Sequence, residues 1–411
     1  MRILLLTQFF DPEPTFKGLT FARELVRRGH TVEVLTGFPN YPGGKLYPGY
    51  KVRPWQRETI DGISILRTAL YPSHDKSAVH RALNYGSFAF SAATLGVIGT
   101  TRPDVVYVYH PPTTIALPST VLRLMRGVPV VSDIQDLWPD TVLETGMMTN
   151  PFAISMLRKW CHFAFRQMDQ VVVLSPGFKQ QLIERGIAAN KIEVIYNWCE
   201  ETSMSVCPRD EGMAKSWGLA GRFNVLFAGT MGIQQGLETL LEAARLCERE
   251  LSRAQFVFVG DGVDRESLQQ KAANMGLSNV RFLPRQPPES MGPLLAAADV
   301  LLVHLRDLPL FKITIPSKTQ AYLASGRPIL MAVRGDAADL VKAAGAGLCC
   351  DPEDPAAMVA KLRDFLAMSD DVRMSMGISG MRFYRKNLSL RVGVDKFEAV
   401  FRKAVAQHRA G

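Results

Sequence analysis

In this 411-residue chain, the residue whose type and position point most clearly to a chemical role is a lysine at the predicted start of a short helix. Residues 316–328 read Pro-Ser-Lys-Thr-Gln-Ala-Tyr-Leu-Ala-Ser-Gly-Arg-Pro, and the initial proline, the apolar face and Gly326 predict a helix followed by a strand. A helix start attracts anions because its backbone N–H groups are unpaired. Lys318 in the first turn opposes the helix dipole unless an anion is bound there. We therefore interpret this stretch as a phosphate site.

Further candidates for an anion site follow predicted strands in the second half of the chain. Gly229, Gly232 and Gly236 permit close backbone approach, and Gly260-Asp261-Gly262 forms another glycine-rich strand end. Arg285 and Lys318 could face a diphosphate, although each alone is equally typical of a solvated surface charge. The first turns lack G-x-G-x-x-G and the chain lacks a Walker A motif, which argues against a dinucleotide dehydrogenase and a P-loop enzyme.

Two candidates lie at predicted strand ends in the first half. Asp136 is followed by Leu137-Trp138-Pro139, so it is either a structural helix cap or a carboxylate that orients or deprotonates a sugar hydroxyl. His110 ends an apolar run just before two prolines and is either a core histidine or a catalytic or sugar-binding residue. The histidines and cysteines do not show metal-ligand spacing, so no metal is expected.

Composition limits the class of protein. The net charge is +9, and residues 1–198 hold 21 Lys and Arg against 15 Asp and Glu, which indicates an anionic partner. Basic runs with interleaved aromatic residues are missing, so a membrane surface is favoured over nucleic acid. The sequence contains no apolar run long enough to span a bilayer and no signal-like start, and its six cysteines have no C-x-x-C spacing. These features predict a cytoplasmic protein.

Strand-like runs alternate with helical patterns through residues 1–198 and again from residue 224 onward, which predicts parallel sheets covered by helices. We expect an α/β protein with two Rossmann-like domains facing across a cleft, at residues 1–198 and 199–388. The last helix, 389–411, is expected to return to the first domain. Residues 200–221 are predicted to be a linker, and 37–61 a long loop that is either functional or a packed insertion.

Residues 80–100 form a predicted helix of unusual composition. After His80 and Arg81 the segment is almost free of charge and contains Phe88, Phe90 and Ile98. Such a helix is either a buried core helix or one that lies in a bilayer interface. The basic excess of this half favours the second interpretation.

Several motifs, taken in order, resemble a known family. They are the segments Phe-Asp-Pro-Glu-Pro (10–14), Gly-His-Thr-Val (29–32), Phe-Pro-Asn-Tyr-Pro (38–42), 107–112, Asp-Leu-Trp-Pro (136–139), 171–176 and 316–328. Together they resemble family-four retaining glycosyltransferases of the GT-B fold, and within them the WbuB-like L-fucosamine transferases. The resemblance covers essentially the whole chain.

The resemblance implies transfer from a UDP-sugar, held by the second domain, to an acceptor held by the first domain. It implies retention of anomeric configuration by front-face transfer, with Asp136 and His110 on the acceptor side and no metal or other cofactor. The acceptor is expected to be a lipid-linked glycan at the inner membrane, used for O-antigen or other lipopolysaccharide or capsule synthesis, and the sugar an N-acetylated amino or deoxy-amino sugar. The implied nucleotide-sugar residues are Gly18, Gly229, Gly232, Gly236, Asp261, Gly262, Arg285, Ile313, Thr314, Ile315, Lys318 and Gln320.

The chain departs from the family pattern at two places. The family's two glutamates fall on Ile313 and Ala321 here, and the usual Arg and Lys after the first strand of the second domain are replaced by Thr230 and Gln235. Lys318, Arg285 and the backbone amides of 313–315 are then expected to neutralise the diphosphate, with Gln320 on the ribose. Two alternatives remain open: a UDP-sugar epimerase of the same fold, and a non-catalytic sugar-binding protein.

Overall fold

A computed structural model describes residues 1–74, 77–144, 150–202, 204 and 206–410. The chain forms two compact units. The first comprises Met1–Tyr196 together with Gly393–Gly411, and the second comprises Asn197–Val392. The second unit is therefore one continuous segment, whereas the first is built from both ends of the chain.

The first unit contains an eight-stranded sheet in the order β3-β4-β2-β1-β5-β6-β7-β8. All neighbours are parallel except β3 and β4, which form an antiparallel hairpin. Its strands are β1 (Arg2–Leu6), β2 (Thr31–Gly37), β3 (Trp55–Ile60), β4 (Ile63–Thr68), β5 (Val105–His110), β6 (Val130–Ile134), β7 (Gln170–Val173) and β8 (Ile192–Val194). Its helices are α1 (Leu19–Arg27), α2 (Ala78–Ser91), α3 (Val97–Gly99), α4 (Ala116–Arg126), α5 (Asp140–Glu144), α6 (Pro151–Arg166) and α7 (Pro176–Glu184).

The second unit contains a six-stranded parallel sheet in the order β11-β10-β9-β12-β13-β14. Its strands are β9 (Phe223–Ala228), β10 (Ala254–Val259), β11 (Val280–Leu283), β12 (Val300–His304), β13 (Ile329–Ala332) and β14 (Gly347–Cys349). Its helices are α8 (Glu211–Ser216), α9 (Glu238–Glu250), α10 (Arg265–Asn274), α11 (Pro288–Ala296), α12 (Pro309–Lys312), α13 (Ser317–Ser325), α14 (Asp336–Ala343), α15 (Pro355–Ala367), α16 (Asp370–Asn387) and α17 (Leu390–Ala410), the last of which continues into the first unit.

The two faces of the first sheet are covered by different helices. Leu4, Leu6 and Val108 on one face join a buried cluster with Phe88 and Leu122 of the α2–α4 layer. On the other face Tyr107 packs against Phe21 of α1 and Phe397 of α17, with ring centroids 5.3 and 5.6 Å apart. Arg28 also binds Glu398 of α17, at 2.9 Å. Strands buried on both sides explain the nearly continuous apolar runs in the sequence.

Two segments are more regular than the sequence indicated. Strand β3 lies inside the predicted loop 37–61 and turns into β4 through Asp61 and Gly62, both at positive φ, as a two-residue Asp-Gly hairpin turn requires. Helix α8 lies inside the predicted linker, where Asp210 caps its first turn by accepting from the Met213 amide at 2.8 Å.

The predicted helix at residues 80–100 is formed by α2, a π-helical stretch (Ala92–Gly96) and α3. Its inner face is core, with Phe88 fully buried, but Phe90 and Ile98 are exposed. The buried face agrees with a core helix, whereas the bilayer-interface interpretation stays a prediction. Across the described residues, no helix combines the length and the apolar character needed to cross a membrane.

Candidate active site

Three glycines meet at the carboxyl ends of β9 and β10. Gly229, Gly260 and Gly262 have φ values of 143, 128 and 152°, which side-chain-bearing residues rarely adopt. A Cβ on Gly260 would overlap the Gly229 carbonyl, and one on Gly262 would overlap the Met231 carbonyl. The strand ends therefore form a closely packed surface of bare backbone that a ligand can approach.

Lys318 lies beside this surface. Its Nζ is 3.5 Å from the centroid of the Phe227 ring and would be 3.2 Å from a Cβ on Gly229. This Nζ is buried and has no hydrogen-bond partner among the described residues. Burial lowers the pKa of the Lys318 ammonium to about 7. A buried ammonium without a counter-ion is energetically costly, and a bound anion would remove that cost.

The loop that leads into α13 carries further backbone donors. No side chain caps this helix. In the described part of the chain the amides of Thr314 and Ile315 have no acceptor, while the Ile313 amide donates to the Leu310 carbonyl at 3.3 Å. Two of the three amides predicted to assist an anion are thus available. The third is used within the turn that precedes the helix.

The Gln320 side chain, predicted to contact the ribose, points toward its own helix in the structure. The side chain is buried, and its amide nitrogen, placed to satisfy both ends of the group, donates to the carbonyls of Pro316 and Ser317 at 3.0 Å. The side-chain nitrogen is therefore already hydrogen-bonded within its own helix, and the contact between Gln320 and the ribose stays a prediction. Its neighbour Tyr322 instead ties α13 to β9 by hydrogen bonds to Ala228.

The remaining predicted residues of the second unit are spread around the strand ends. The Gly232 amide donates to Gln235 Oε1 at 3.1 Å, so Gln235 shapes the loop in place of the family's basic pair. Asp261 is exposed and accepts from the Gly262 amide, at 2.8 Å. Arg285 is exposed after β11. The structure thus places Lys318 closest to the glycine surface and Arg285 on the periphery.

His304 was not identified from the sequence. Its Nε2 accepts from the Glu353 amide at 3.1 Å, which leaves Nδ1–H to donate to the Gln235 carbonyl at 2.5 Å. Burial lowers its pKa, so it is a neutral group that holds the Gln235 loop against β12, next to Gly236. The sequence signal that could have identified His304 is its position at the end of a predicted strand, which it shares with His110.

In the first unit Asp136 lies two residues after the end of β6. Its carboxylate has no hydrogen-bond partner among the described residues, and burial raises its pKa. Burial raises the pKa of Tyr85 and of Tyr109. The charge of Asp136 adds to both shifts, but less than that of Asp133 does for Tyr109, and Arg81 opposes the shift for Tyr85. The structure gives Asp136 no capping contact, so its carboxylate is available to accept a hydrogen bond from a ligand hydroxyl.

His110 ends β5, where it pairs in register with Ile134, two residues before Asp136. Its ring is 1% exposed, and neither ring nitrogen has a partner among the described residues. Burial lowers its pKa to about 4, so the ring is neutral at physiological pH. Trp138 lies edge-on to it, with ring centroids 6.4 Å apart. The two predicted acceptor-side residues therefore lie on adjacent strand ends.

Gly18 precedes α1, and a side chain is excluded at this position by residues of the loop that leads into the helix. The Leu19 amide donates to Asp11 Oδ2 at 2.7 Å, and a Cβ on Gly18 would overlap that carboxylate. The adjacent Lys17 forms a fully buried ion pair with Asp133, which also accepts from the Tyr107 hydroxyl at 2.7 Å. Lys17 and Asp133 are 116 residues apart, and no sequence pattern linked them.

Two glycosyltransferase families match the chain, one in each half. The "Glycosyl transferase 4-like domain" matches residues 19–198, and "Glycosyl transferases group 1" matches residues 222–368. The chain is a glycosyltransferase. The fold accounts for the two matches, since the second falls within the second compact unit and the first, except for residues 197 and 198, falls within the first unit.

Relatives of this glycosyltransferase cover most of its length. It is 28% identical over 387 residues to WcaI of Escherichia coli K12, named as a colanic acid biosynthesis glycosyl transferase, covering 90% of this chain and 93% of WcaI. It is 27% identical over 314 residues to the glycosyltransferase WbjE of Pseudomonas aeruginosa, covering 75 and 76% of the two chains.

Solved structures establish the fold of this glycosyltransferase as GT-B. HepE of Anabaena, solved in complex with UDP, matches with a TM-score of 0.72 at 16% identity over 98% of this chain and 100% of HepE. Sucrose-phosphate synthase of Thermosynechococcus elongatus matches with a TM-score of 0.72 at 15% identity over 99% of both chains. The glycine surface and Lys318 lie at the carboxyl ends of parallel strands, where such sheets bind ligands.

Proposed function

We propose that this glycosyltransferase transfers a sugar from a UDP-sugar to a lipid-linked glycan with retention of configuration. The observation that carries the donor assignment is the partnerless ammonium of Lys318 beside the glycine surface and the uncapped start of α13. A diphosphate supplies the missing counter-charge and accepts from the Thr314 and Ile315 amides. Ammonium and amides together neutralise the leaving group without a required metal.

On the acceptor side Asp136 orients the attacking hydroxyl. Its carboxylate is poorly hydrated and unpaired, so a hydroxyl that donates to it gains a charge-assisted hydrogen bond. His110 presents a neutral ring whose N–H and lone pair both lack partners, which suits a sugar hydroxyl that donates and accepts. In the proposed front-face reaction the leaving phosphate takes the acceptor proton, so neither residue needs to become a covalent nucleophile.

A lipid-linked acceptor is supported by an exposed apolar surface on the first unit, formed by α2, α3 and α4, which we call the α2–α4 patch. Phe90, Ile98 and Leu124 are 68, 75 and 73% exposed, and the three helices pack against one another. Arg81 and Arg102 border the patch, and residues 77–103 and 116–126 contain no Asp or Glu. Apolar side chains with a basic border fit the headgroup boundary of an anionic bilayer, here the inner membrane.

The biological setting that we propose is bacterial surface polysaccharide synthesis, in the subgroup of WbuB-like L-fucosamine transferases. The name of WcaI refers to colanic acid biosynthesis, and this relative spans nearly the whole chain. The donor sugar would then be an N-acetylated amino or deoxy-amino sugar. Ile313 replaces the family glutamate that contacts the donor sugar, and Ala321 replaces the one that contacts the ribose. The sugar therefore has fewer charged contacts, which favours a donor sugar with fewer hydroxyl groups.

A donor panel tests this function. Purified protein is incubated with UDP-sugars and a lipid-linked N-acetylhexosamine, and the products are followed by mass spectrometry. We expect a mass gain for an amino or deoxy-amino donor that requires the acceptor. Acceptor-free conversion of the UDP-sugar into its epimer would favour the epimerase, and transfer only from non-uridine donors would contradict the proposal.

Vesicle flotation tests the membrane assignment separately. Phe90→Ser with Leu124→Ser should release the protein from vesicles containing anionic phospholipid. Val26→Ser is the matched control, because Val26 is an exposed apolar residue on α1, which packs on the opposite face of the sheet. Equal flotation of the double variant and the wild type would exclude the α2–α4 patch as the binding surface.

A further inference from the structure

A second binding site is indicated at the opposite edge of the second sheet, away from the glycine surface. A cavity of about 690 Å³ lies within the second unit. It is lined by residues that come just before strands, among them Arg253, Asp299 and Arg327, and by one side of α16. Its volume is in the range of small-molecule sites.

The cavity contains a guanidinium that forms no direct ion pair among the described residues, although the charge of Asp299 acts on it. Arg327 is half-buried and has no ion pair or hydrogen bond in the part of the chain that the structure describes, and burial lowers its pKa. The nearest acidic group, Asp299, is committed elsewhere, since it accepts from the Asn224 amide at 2.7 Å and lies 3.6 Å from Arg209. Arg373, also on the wall, is already paired with Asp370.

Part of the remaining lining is apolar, next to the charged residues Arg209, Glu211 and Arg222. Val206 approaches from the segment before α8, and Met374, Ile378 and Met381 line the cavity from α16. The ring of Phe223 is covered by the Arg373 guanidinium, 5.3 Å from its centroid, so it does not offer a face for a planar base. The flexible thioether side chains of the methionines and the branched side chains of Val206 and Ile378 suit an alkyl chain rather than a nucleotide.

We propose that this cavity binds an amphiphilic anion, with a phosphate or carboxylate head at Arg327 and an aliphatic body along Val206 and α16. The guanidinium fork binds such a head with two parallel hydrogen bonds. Gly326 and Arg327 directly follow α13, so the ligand would lie at the end of the helix whose first turn carries Lys318. The site is independent of the donor site and of the α2–α4 patch.

Calorimetry with the full-length protein tests the site, using decyl phosphate below its micelle concentration. Decanoate, inorganic phosphate and decanol are the comparison ligands. We expect decyl phosphate to bind at least about tenfold more tightly than inorganic phosphate or decanol, because each of these lacks one half of the recognised chemistry. Decanoate distinguishes a general anionic head from one that must be phosphate.

Three variants locate the binding. Arg327→Ala should weaken decyl phosphate about tenfold or more, whereas Arg245→Ala, which removes an equal charge from an exposed pair on α9, should bind like the wild type. Met374→Ser, at an exposed position, should weaken it about threefold. Circular dichroism verifies the fold of each variant.

Three results would overturn the proposal. The first is wild-type affinity in both Arg327→Ala and Met374→Ser. The second is loss of affinity in Phe90→Ser with Leu124→Ser but not in Arg327→Ala, which would assign the alkyl ligand to the α2–α4 patch. Absence of decyl phosphate binding to the wild type would equally reject the site.

Discussion

Lys17 and Lys318 are both buried lysines near strand ends, one in each unit, and they differ in what surrounds the ammonium. Lys17 is paired with Asp133, whose carboxylate also binds Tyr107 and Gln135. Lys318 lies over the Phe227 ring and has no acceptor among the described residues. Burial lowers the pKa of both ammonium groups, but for Lys17 the charge of Asp133 opposes that shift.

The contrast predicts that Lys17 is a structural lysine and that Lys318 is a ligand-binding lysine. A buried charge is tolerated when its counter-charge belongs to the fold, because the pair is then satisfied in every molecule. An unpaired one is costly and is satisfied only when an external anion arrives. We therefore expect changes at Lys17 to affect stability first, and changes at Lys318 to affect ligand binding first.

The largest effect should follow from Lys17→Met. It leaves the Asp133 carboxylate buried without its partner, which typically costs about 3–5 kcal/mol in the free energy of unfolding. Urea denaturation followed by circular dichroism measures this loss. The double variant with Asp133→Asn should recover part of the loss. A single variant as stable as the wild type would show that the pair is not structural.

Lys318→Met should have the opposite profile. It removes a buried, unpaired charge, so the unfolding free energy should be unchanged or higher, while UDP affinity and transfer fall about 100-fold through the loss of a charge-assisted contact. Calorimetry with UDP and the transfer assay measure the second effect. Lys342→Met, at an exposed lysine of the same unit, is the control for net charge. Undiminished UDP binding would remove Lys318 from the donor site.

UDP affinity should depend on pH through Lys318. Its pKa is about 7 without ligand, so above pH 7 a proton must be taken up on binding and the affinity should fall about tenfold per pH unit. Calorimetry at pH 8 in buffers of different ionisation enthalpy should show uptake of about 0.9 proton. Lys318→Met should abolish this uptake. A flat pH profile for the wild type would mean that the ammonium is already charged and stabilised before binding.

The same pKa has a consequence for stability, with a defined sign. The unfolded chain keeps the ordinary value of 10.5, so between pH 7 and 10.5 it binds more protons at Lys318 than the folded chain does. The penalty of the buried ammonium is fully present below pH 7 and is relieved as the pH rises. The stability difference between Lys318→Met and the wild type should therefore shrink from pH 7 to pH 9.

The smallest effect should come from Phe227→Leu. The ring beneath Lys318 Nζ stabilises the cation by about 0.5–2 kcal/mol, and its loss should lower the lysine pKa further. UDP affinity at pH 7 should then fall severalfold, and the loss should be smaller at pH 6, where the lysine is more fully protonated. Calorimetry at the two pH values measures the difference. An equal loss at both would indicate a packing defect instead.

The sequence predicted most of the fold because its signals are local. Apolar strand runs, Gly326 after α13 and the alternation of strands with helices required no knowledge of distant contacts. Strand β3 was missed because Trp55–Ile60 alternates half-buried and exposed residues without an apolar face, although Asp61-Gly62 gave a hairpin signal. The short α8 was missed because half of its six residues are polar and only Ala214 is buried, so it has no apolar face.

The candidate site was less predictable because it depends on contacts between residues that are far apart in the sequence. Lys318 was identified from its helix position, but its burial over Phe227 depends on a strand 91 residues earlier in the sequence. Gln320 was expected at the ribose, and the structure turns it onto Pro316 and Ser317 because a buried amide needs partners nearby. Lys17 and Asp133 could be connected only once β1 and β6 were placed in one sheet.

The return of the chain at Gly393 has a consequence for how the protein is made. The Phe397 ring covers Lys17, 4.9 Å from its ammonium, and contacts Tyr107, so the ion pair with Asp133 is sealed by residues near the carboxyl terminus. A ribosome must therefore synthesise the whole of the second unit before the first can complete its core. During translation the Lys17–Asp133 pair of the first unit therefore stays uncovered until Phe397 has been synthesised. The second unit can fold as soon as its own continuous segment has emerged from the ribosome.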